Sequence, residues 1–296
     1  MKVNSTFRTV REPFITKCPI GCRSILISSD IVTEEGPLLK CTECGQLISR
    51  CSEEQYLSSI EGFNIPEGTS SQGKSIKRSF KLYHKRLKKI ERFYGKLPQR
   101  IRLLDVGCST GSFLAFAQNK GYIVTGVEPA VRAAETAIGQ KLNVKQGFLQ
   151  ELNLTQNYYD VITLFEVIEH LKDPLGLLRE CHRILKQGGI MVISTGNTSS
   201  WTVKFMKQRW DYFDFKHGGH ISFFNPVSLR KISKKASFDV IRLETRRVSF
   251  YRKDEVSKFK FKTAKIIEGL LNPFAKLFSR GHDILVFIKK PYVNAK

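Results

Sequence analysis

The sequence predicts an α/β chain centred on a doubly wound, Rossmann-like parallel sheet, with a small cysteine-rich unit in front of it. Three observations lead there. Short apolar runs alternate with helical stretches from Ile101 onward. The first run enters a glycine turn, "LLDVGCSTGSF" (103–113). Two short-spaced cysteine pairs precede both. Apolar runs separated by helices are the pattern of parallel strands covered on both faces.

Residues 1–51 are cysteine-rich and strand-like. "CPIGC" carries Cys18 and Cys22, and "CTECG" carries Cys41 and Cys44. Four thiolates at such spacing can close a tetrahedral zinc site between two hairpin knuckles. Buried free cysteines in a small strand-rich segment are the alternative. The chain has 7 cysteines, an odd number that favours metal binding in a reducing cytoplasm over a disulfide framework. Cys51, Cys108 and Cys181 lack matching partners and read as structural.

Residues 52–100 read as a linker followed by a basic helix. "EGFNIPEGTSSQGKS" (61–75) collects Gly, Pro, Ser and Thr, as linkers and mobile loops do. Ile76, Phe80, Tyr83, Leu87, Ile90 and Tyr94 then recur at alternating spacings of four and three, one apolar face of a helix with a basic back. Pro98 ends it. Residues 101–296 carry the sheet. "IRLLDV", "YIVTGVE", "YDVITLF" and "GIMVIST" read as buried parallel strands, and "FDVIRLETRRVSF" and "HDILVFIKK" as two late ones. Between the late strands, Val256–Phe278 reads as an amphipathic helix or a pair of helices interrupted at Pro273.

The chain has 296 residues, 41% of them hydrophobic, enough for a real core. No run approaches the roughly 18–20 apolar residues of a membrane span. The start shows no secretory signal. The net charge of +22 is unevenly spread: −2 over 1–73, +10 over 74–100, +2 over 101–229 and +12 over 230–296. Two flanking segments thus hold the basic excess. They could face anionic lipid, nucleic acid or a phosphorylated substrate, or form solvated helix faces.

Three cofactor classes use a strand, a glycine turn and a helix. A mononucleotide P-loop needs a Lys followed by Ser or Thr, and "GCSTGSF" has no lysine. The dinucleotide fingerprint needs a second glycine where Ser109 stands, which weakens that reading. S-adenosylmethionine has no phosphate, so the turn need only accept its amino-acid end. Backbone N–H groups and a helix N-terminus suit its carboxylate. Asp105 can help hold its ammonium, and Glu128, closing "VTGVE", can accept from both ribose hydroxyls.

The stretch from Ile101 to about Ile193 resembles the class I S-adenosylmethionine-dependent methyltransferases. "LLDVGCSTGSF" matches their first motif, "VTGVEPA" their acidic second motif and "YYDVITLFEVIEHLKDP" their fourth. "LRECHRILKQGGIMVIST" matches the helix, glycine pair and strand that follow. The fourth motif, with Glu166, Glu169 and His170, resembles that of ubiquinone-type and sugar-type small-molecule enzymes, and "GGHISFFNPVSLRKISKKASFDV" resembles their downstream segment. The resemblance implies a seven-stranded methyltransferase sheet. It also implies a cofactor site of Asp105, Gly107, Cys108, Gly111, Glu128, Phe148, Leu149, Phe165 and Glu166. The cysteine pairs resemble the N-terminal zinc ribbon of bacterial relatives in this group, with C-x-x-x-C where C-x-x-C is usual. After the third strand the family often has an acidic residue for the adenine amino group. "KQGFLQEL" places Phe148 and Leu149 there, so backbone groups and apolar packing would hold adenine.

The expected acceptor is a small molecule, a sugar or glycan precursor or a quinone-like phenol, methylated on oxygen or nitrogen. An oxygen acceptor needs a base or a metal, and histidine suits the base near neutral pH. His170, directly after the fourth strand, is the first candidate, and Glu169 is expected to be structural. His217, His220 and Tyr212 lie in a polar aromatic segment that could cover the substrate. A structural hydrogen bond is the alternative for each histidine. Nucleic-acid modification is the weaker expectation. "FEVIEH" stands where exocyclic-amine enzymes carry an [Asn/Asp]-Pro-Pro-aromatic tetrapeptide, and no nucleic-acid-binding domain is recognisable. A silent core behind an interaction ribbon is weaker still, because Asp105, Gly107, Gly111 and Glu128 are all present. The expected location is the cytoplasm, with an anionic inner membrane face as a possible partner surface. The oligomeric state is not legible.

Overall fold

The computed structural model describes residues 13–62, 74–95, 97–213, 215, 219–252 and 255–292. Its centre is a seven-stranded sheet. The strands are β4 (Arg102–Val106), β5 (Ile123–Glu128), β6 (Val144–Gln146), β7 (Tyr159–Phe165), β8 (Leu185–Gly196), β10 (Asp239–Arg246) and β11 (Asp283–Lys289). They lie in the order β10-β11-β8-β7-β4-β5-β6. Pairs from β8 through β6 are parallel, and β11 runs antiparallel to both its neighbours. The chain therefore winds outward from β4 to β6 and returns to β7 beside β4. Ligands gather at the carboxyl ends of strands at such a reversal.

Helices α3 (Ser112–Gln118), α4 (Val131–Gly139) and α5 (Pro174–Ile184) connect these strands. One face of the sheet is closed by α2 (Lys74–Tyr94), whose Leu87 and Ile90 pack with Ile101, Leu103, Val161, Val192 and Phe287. The lysines on its back, Lys81, Lys85 and Lys88, are exposed. α5 and α7 (Pro226–Lys235) close the other face through Leu177, Leu178, Leu229 and Ile232. α6 (Trp201–Met206) follows β8, and α8 (Lys258–Leu277) lies between β10 and β11.

The amino-terminal unit is a second sheet of β1 (Leu26–Thr33), β2 (Gly36–Cys41) and β3 (Leu47–Ile48), followed by α1 (Glu53–Gly62). Its fourth strand is β9 (Ser222–Phe223), which pairs antiparallel with β3. The unit thus borrows a strand from the segment just ahead of α7. Gln46 donates to Ser222 Oγ (2.8 Å) and Asn225 to the Cys44 carbonyl (3.1 Å), both buried.

Two sequence expectations need correction. Pro273 does not interrupt α8, which runs unbroken through it. Proline removes one N–H and crowds the carbonyl four residues earlier. Here that residue is Gly269; both residues are exposed, so water can serve the orphaned carbonyl. The stretch 61–75 is not all linker: Glu61 and Gly62 end α1, and Lys74 and Ser75 begin α2. Residues 63–73 lie outside the described residues.

Candidate active site

The glycine turn sits at the carboxyl end of β4, facing the reversal point. Gly107 has φ +72° and Gly111 has φ +80°, a region that costs a residue with a Cβ. Space forbids a side chain as well. A Cβ on Gly107 would meet Val167 Cγ2 at 2.5 Å, and one on Gly111 would meet Leu142 Cδ1 at 2.4 Å. Gly111 caps α3, so the helix N-terminus opens at the turn. Cys108 is buried, and its small size is what fits: Gly126 lies so close that even a Cβ there would stand 2.6 Å from the Cys108 sulfur.

Glu128 ends β5 and closes the turn. Its carboxylate accepts from Ser109 N (2.7 Å) and Ala130 N (2.9 Å). Burial pushes the group upward, against those two N–H donors. Each oxygen keeps a second acceptor direction. Phe148 presents a 43% exposed ring beyond β6, whereas Leu149 is spent in the core with Leu154 and Leu177.

Asp105, on β4, is fully buried and accepts from Thr163 Oγ1. Burial raises it to about 7, opposed by Thr163 and by the Arg86 guanidinium. Sequence reasoning missed Arg86. It stands three residues after Tyr83 and four before Ile90, on the buried stripe of α2, and a cation at such a position was the available signal. Its guanidinium lies over the Phe165 ring, 3.8 Å from the centroid, and Nη2 donates to Ser194 Oγ (3.1 Å). Ser194 in turn donates to Glu166 Oε1 (2.6 Å). Arg86 Nε is buried without a partner, and burial lowers the group to about 10. A buried guanidinium with an unused donor beside a buried carboxyl suits a ligand that carries both charges.

Beyond β7 a second cluster forms. His170 and His220 have ring centroids 4.7 Å apart, and Tyr212 lies against His220 at 4.1 Å, the rings tilted by 35°. Glu169, expected to be structural, is fully buried, with its carboxyl in this cluster. It accepts from the Tyr212 hydroxyl and from Thr195 Oγ1 (3.0 Å). Burial and the Glu166 charge drive Glu169 well above the carboxylate range, and burial beside Glu169 drives Tyr212 upward. The His170 ring lies against two backbone carbonyls, Gly219 (Nδ1, 3.3 Å) and Glu166, and His220 Nδ1 donates to the Tyr212 carbonyl (2.8 Å). A neutral ring whose Nδ1 carries the proton keeps its lone pair on Nε2, so His220 offers an acceptor nitrogen. Burial lowers His170 to about 3, helped by His220, and lowers His220 as well. Ligand atoms of Glu169, His170 and His220 all lie within 4.8 Å of one another and could share a metal ion. His217 lies outside the described residues.

The ligand atoms of Cys18, Cys22, Cys41 and Cys44 also lie within 4.8 Å of one another. Tetrahedral zinc with Zn–S of about 2.3 Å has sulfur-to-sulfur edges of about 3.8 Å; Cys18 and Cys44 stand 3.6 Å apart. The residues present fit the metal. The extra residue of the first knuckle is absorbed by Gly21, at φ +75°, whose N–H returns to the Cys18 carbonyl (2.9 Å). Gly45, at φ +68°, closes the second knuckle, its N–H returning to the Cys41 carbonyl (2.9 Å).

A methyltransferase domain family matches residues 79–243, more than half the chain. The chain belongs to the methyltransferase domain family. Among curated relatives, a ubiquinone biosynthesis O-methyltransferase of Cereibacter sphaeroides is 30% identical over 48% of this chain and 62% of its own length. One from Nitrosospira multiformis is 27% identical over 61% of this chain and 71% of its own. The match thus spans less than two thirds of the first relative. The structure of an S-adenosylmethionine-dependent methyltransferase from Archaeoglobus fulgidus aligns with a TM-score of 0.50 at 21% identity, covering 70% of this chain and 94% of that one. That likeness shows the shared fold: the Rossmann-like seven-stranded methyltransferase sheet.

Proposed function

We propose that the chain transfers the methyl group of S-adenosylmethionine to an oxygen of a small, phenolic, quinone-like acceptor. The observation that carries this is the meeting of two groups at one strand reversal. The Gly107–Gly111 turn, closed by Glu128, lies on one side, and the Glu169, His170, His220 and Tyr212 cluster lies beyond β7. In this reading Glu128 receives the ribose hydroxyls. Asp105 takes the cofactor's ammonium and Arg86 its carboxylate. Phe148 covers the adenine edge, and Phe165 and Glu166 line the approach to the sulfonium. The histidine cluster then orients the acceptor hydroxyl and removes its proton as the methyl moves in line from sulfur to oxygen. The names of the curated relatives support a quinone-like acceptor over a sugar or glycan precursor. No described helix is long and apolar enough to cross a membrane. We place the protein on the cytoplasmic side, with its basic segments toward an anionic inner membrane face.

Calorimetry with S-adenosylmethionine tests the cofactor half. Glu128→Ala should bind about 1–3 kcal/mol more weakly, the scale of lost hydrogen bonds to a charged group. Unchanged affinity would remove Glu128 from the site. The pH adds a second reading. Asp105 stands near 7 in the protein, and an arriving ammonium favours its charged form. Affinity should therefore weaken, by up to about tenfold per pH unit, as the pH falls below about 7. Asp105→Asn should flatten that slope.

A further inference from the structure

Helix α8 buries one narrow face against the body of the protein: Ala264, Glu268 and Ala275. Its opposite face is apolar and open. Phe259, Ile266, Leu270, Phe274 and Leu277 recur at spacings of seven, four, four and three, and are 82%, 67%, 69%, 56% and 75% exposed. Phe278 continues the stripe at 60%. Such spacing keeps the side chains on one side of a helix about 30 Å long. Contiguous apolar patches of this kind are uncommon on soluble monomers and mark contact surfaces. The helix and its end also carry Lys258, Lys260, Lys262, Lys265, Lys276 and Arg280, all exposed, against one acidic residue, the buried Glu268.

We propose that α8 is an interfacial helix that seats the protein on an anionic bilayer leaflet, with the Phe259–Leu277 stripe in the acyl boundary and the cations on lipid headgroups. Charge decides the occupant. An apolar stripe edged by lysines is the composition of helices that lie in the plane of a membrane. Lys265 is paired with Glu268 (2.6 Å), so a second copy of the same face would bring the five remaining cations against five. The placement also serves the site. Asn197, directly after β8, donates to the carbonyls of Ser279 (3.1 Å) and Gly281 (2.7 Å), and Trp201 N donates to the Arg280 carbonyl (3.0 Å). The carboxyl end of the stripe is thereby tied to the strand end where Thr195 holds Glu169 and Tyr212. A membrane-dissolved acceptor would meet the protein beside that cluster. The docking inference itself does not depend on the acceptor reading.

Flotation of the full chain with vesicles tests it. Phosphatidylcholine vesicles containing phosphatidylglycerol should carry the protein upward at low salt, and pure phosphatidylcholine should carry far less. High salt should weaken the binding. Leu270→Ser combined with Phe274→Ser should lower vesicle affinity at least about tenfold, since one buried apolar side chain is worth about that much. Unaltered S-adenosylmethionine affinity in the double variant shows that it folds and keeps the two questions apart. Failure to float with anionic vesicles at low salt would overturn the proposal, as would full binding by the double variant. A sedimentation shift from dimer to monomer in the double variant would instead assign the stripe to self-association.

Discussion

Replacing His220 by alanine should slow methyl transfer about 10²–10⁴-fold, the range for losing a positioned acid–base group, while S-adenosylmethionine affinity stays within a factor of two or so. His170→Ala should fall in the same range. The two rings touch, and both border Glu169. Groups that act as a unit lose their contributions together, so the double variant should be scarcely worse than the poorer single one. His220 holds its Nδ1 proton on the Tyr212 carbonyl and presents Nε2. Tyr212 in turn fixes Glu169, Thr195 and the Gly196 N–H. Tyr212→Phe should therefore give a smaller loss, through misplacement of Glu169. Single-turnover rates on saturated enzyme check all four variants. If His170→Ala and His220→Ala both keep more than half the wild-type rate, neither histidine handles the proton.

Removing zinc should have the other large effect. Structural zinc supplies roughly 10–16 kcal/mol in zinc-finger peptides, as much as the whole stability of a typical domain, about 5–15 kcal/mol. One zinc per chain is expected, and Cys41→Ser should lose it. The consequence should not stay in the ribbon. β3 pairs with β9, and the Ser49 N–H donates to the Ile221 carbonyl (3.0 Å), next to His220. Ile221 N in turn donates to the Glu169 carbonyl (3.0 Å). A melted ribbon thus releases the strand that holds His220 against His170. Metal analysis, methyl-transfer rate and cofactor calorimetry on one preparation separate the effects. Metal and rate should fall together while cofactor binding survives. Protein isolated without chelator and found free of zinc would end this account of the four cysteines.

Much of the fold was legible because the central strands β4, β5, β7 and β8 each carry an apolar run, and Gly107 and Gly111 are forced by φ and by space. The cysteine knuckles were legible because their spacing is local. What escaped was long-range. Nothing in the sequence around Leu47 says that it pairs with Phe223, since two-residue strands have no period to read. Arg86 was hidden by the lysines around it on α2, although its place on the apolar stripe set it apart. Nor could the sequence show what surrounds Glu169: the 3-10 turn at Ile168–His170, entered after Glu166 at φ +57°, sets its buried carboxyl against Tyr212 and Thr195, which come from distant segments. Pro273 looked like a break because proline usually is one, and only exposure of the helix back makes it harmless.

Incubation of the purified, zinc-loaded chain with methyl-labelled S-adenosylmethionine and a catechol-type quinone precursor in anionic vesicles decides whether it methylates a phenolic oxygen. Label is expected in an aryl methyl ether by mass spectrometry, formed by wild type, nearly absent with His220→Ala, and reduced with Glu128→Ala when the cofactor is below saturation. Tight cofactor binding with no label on any phenol, while label appears on a sugar, an amine or RNA, would contradict it.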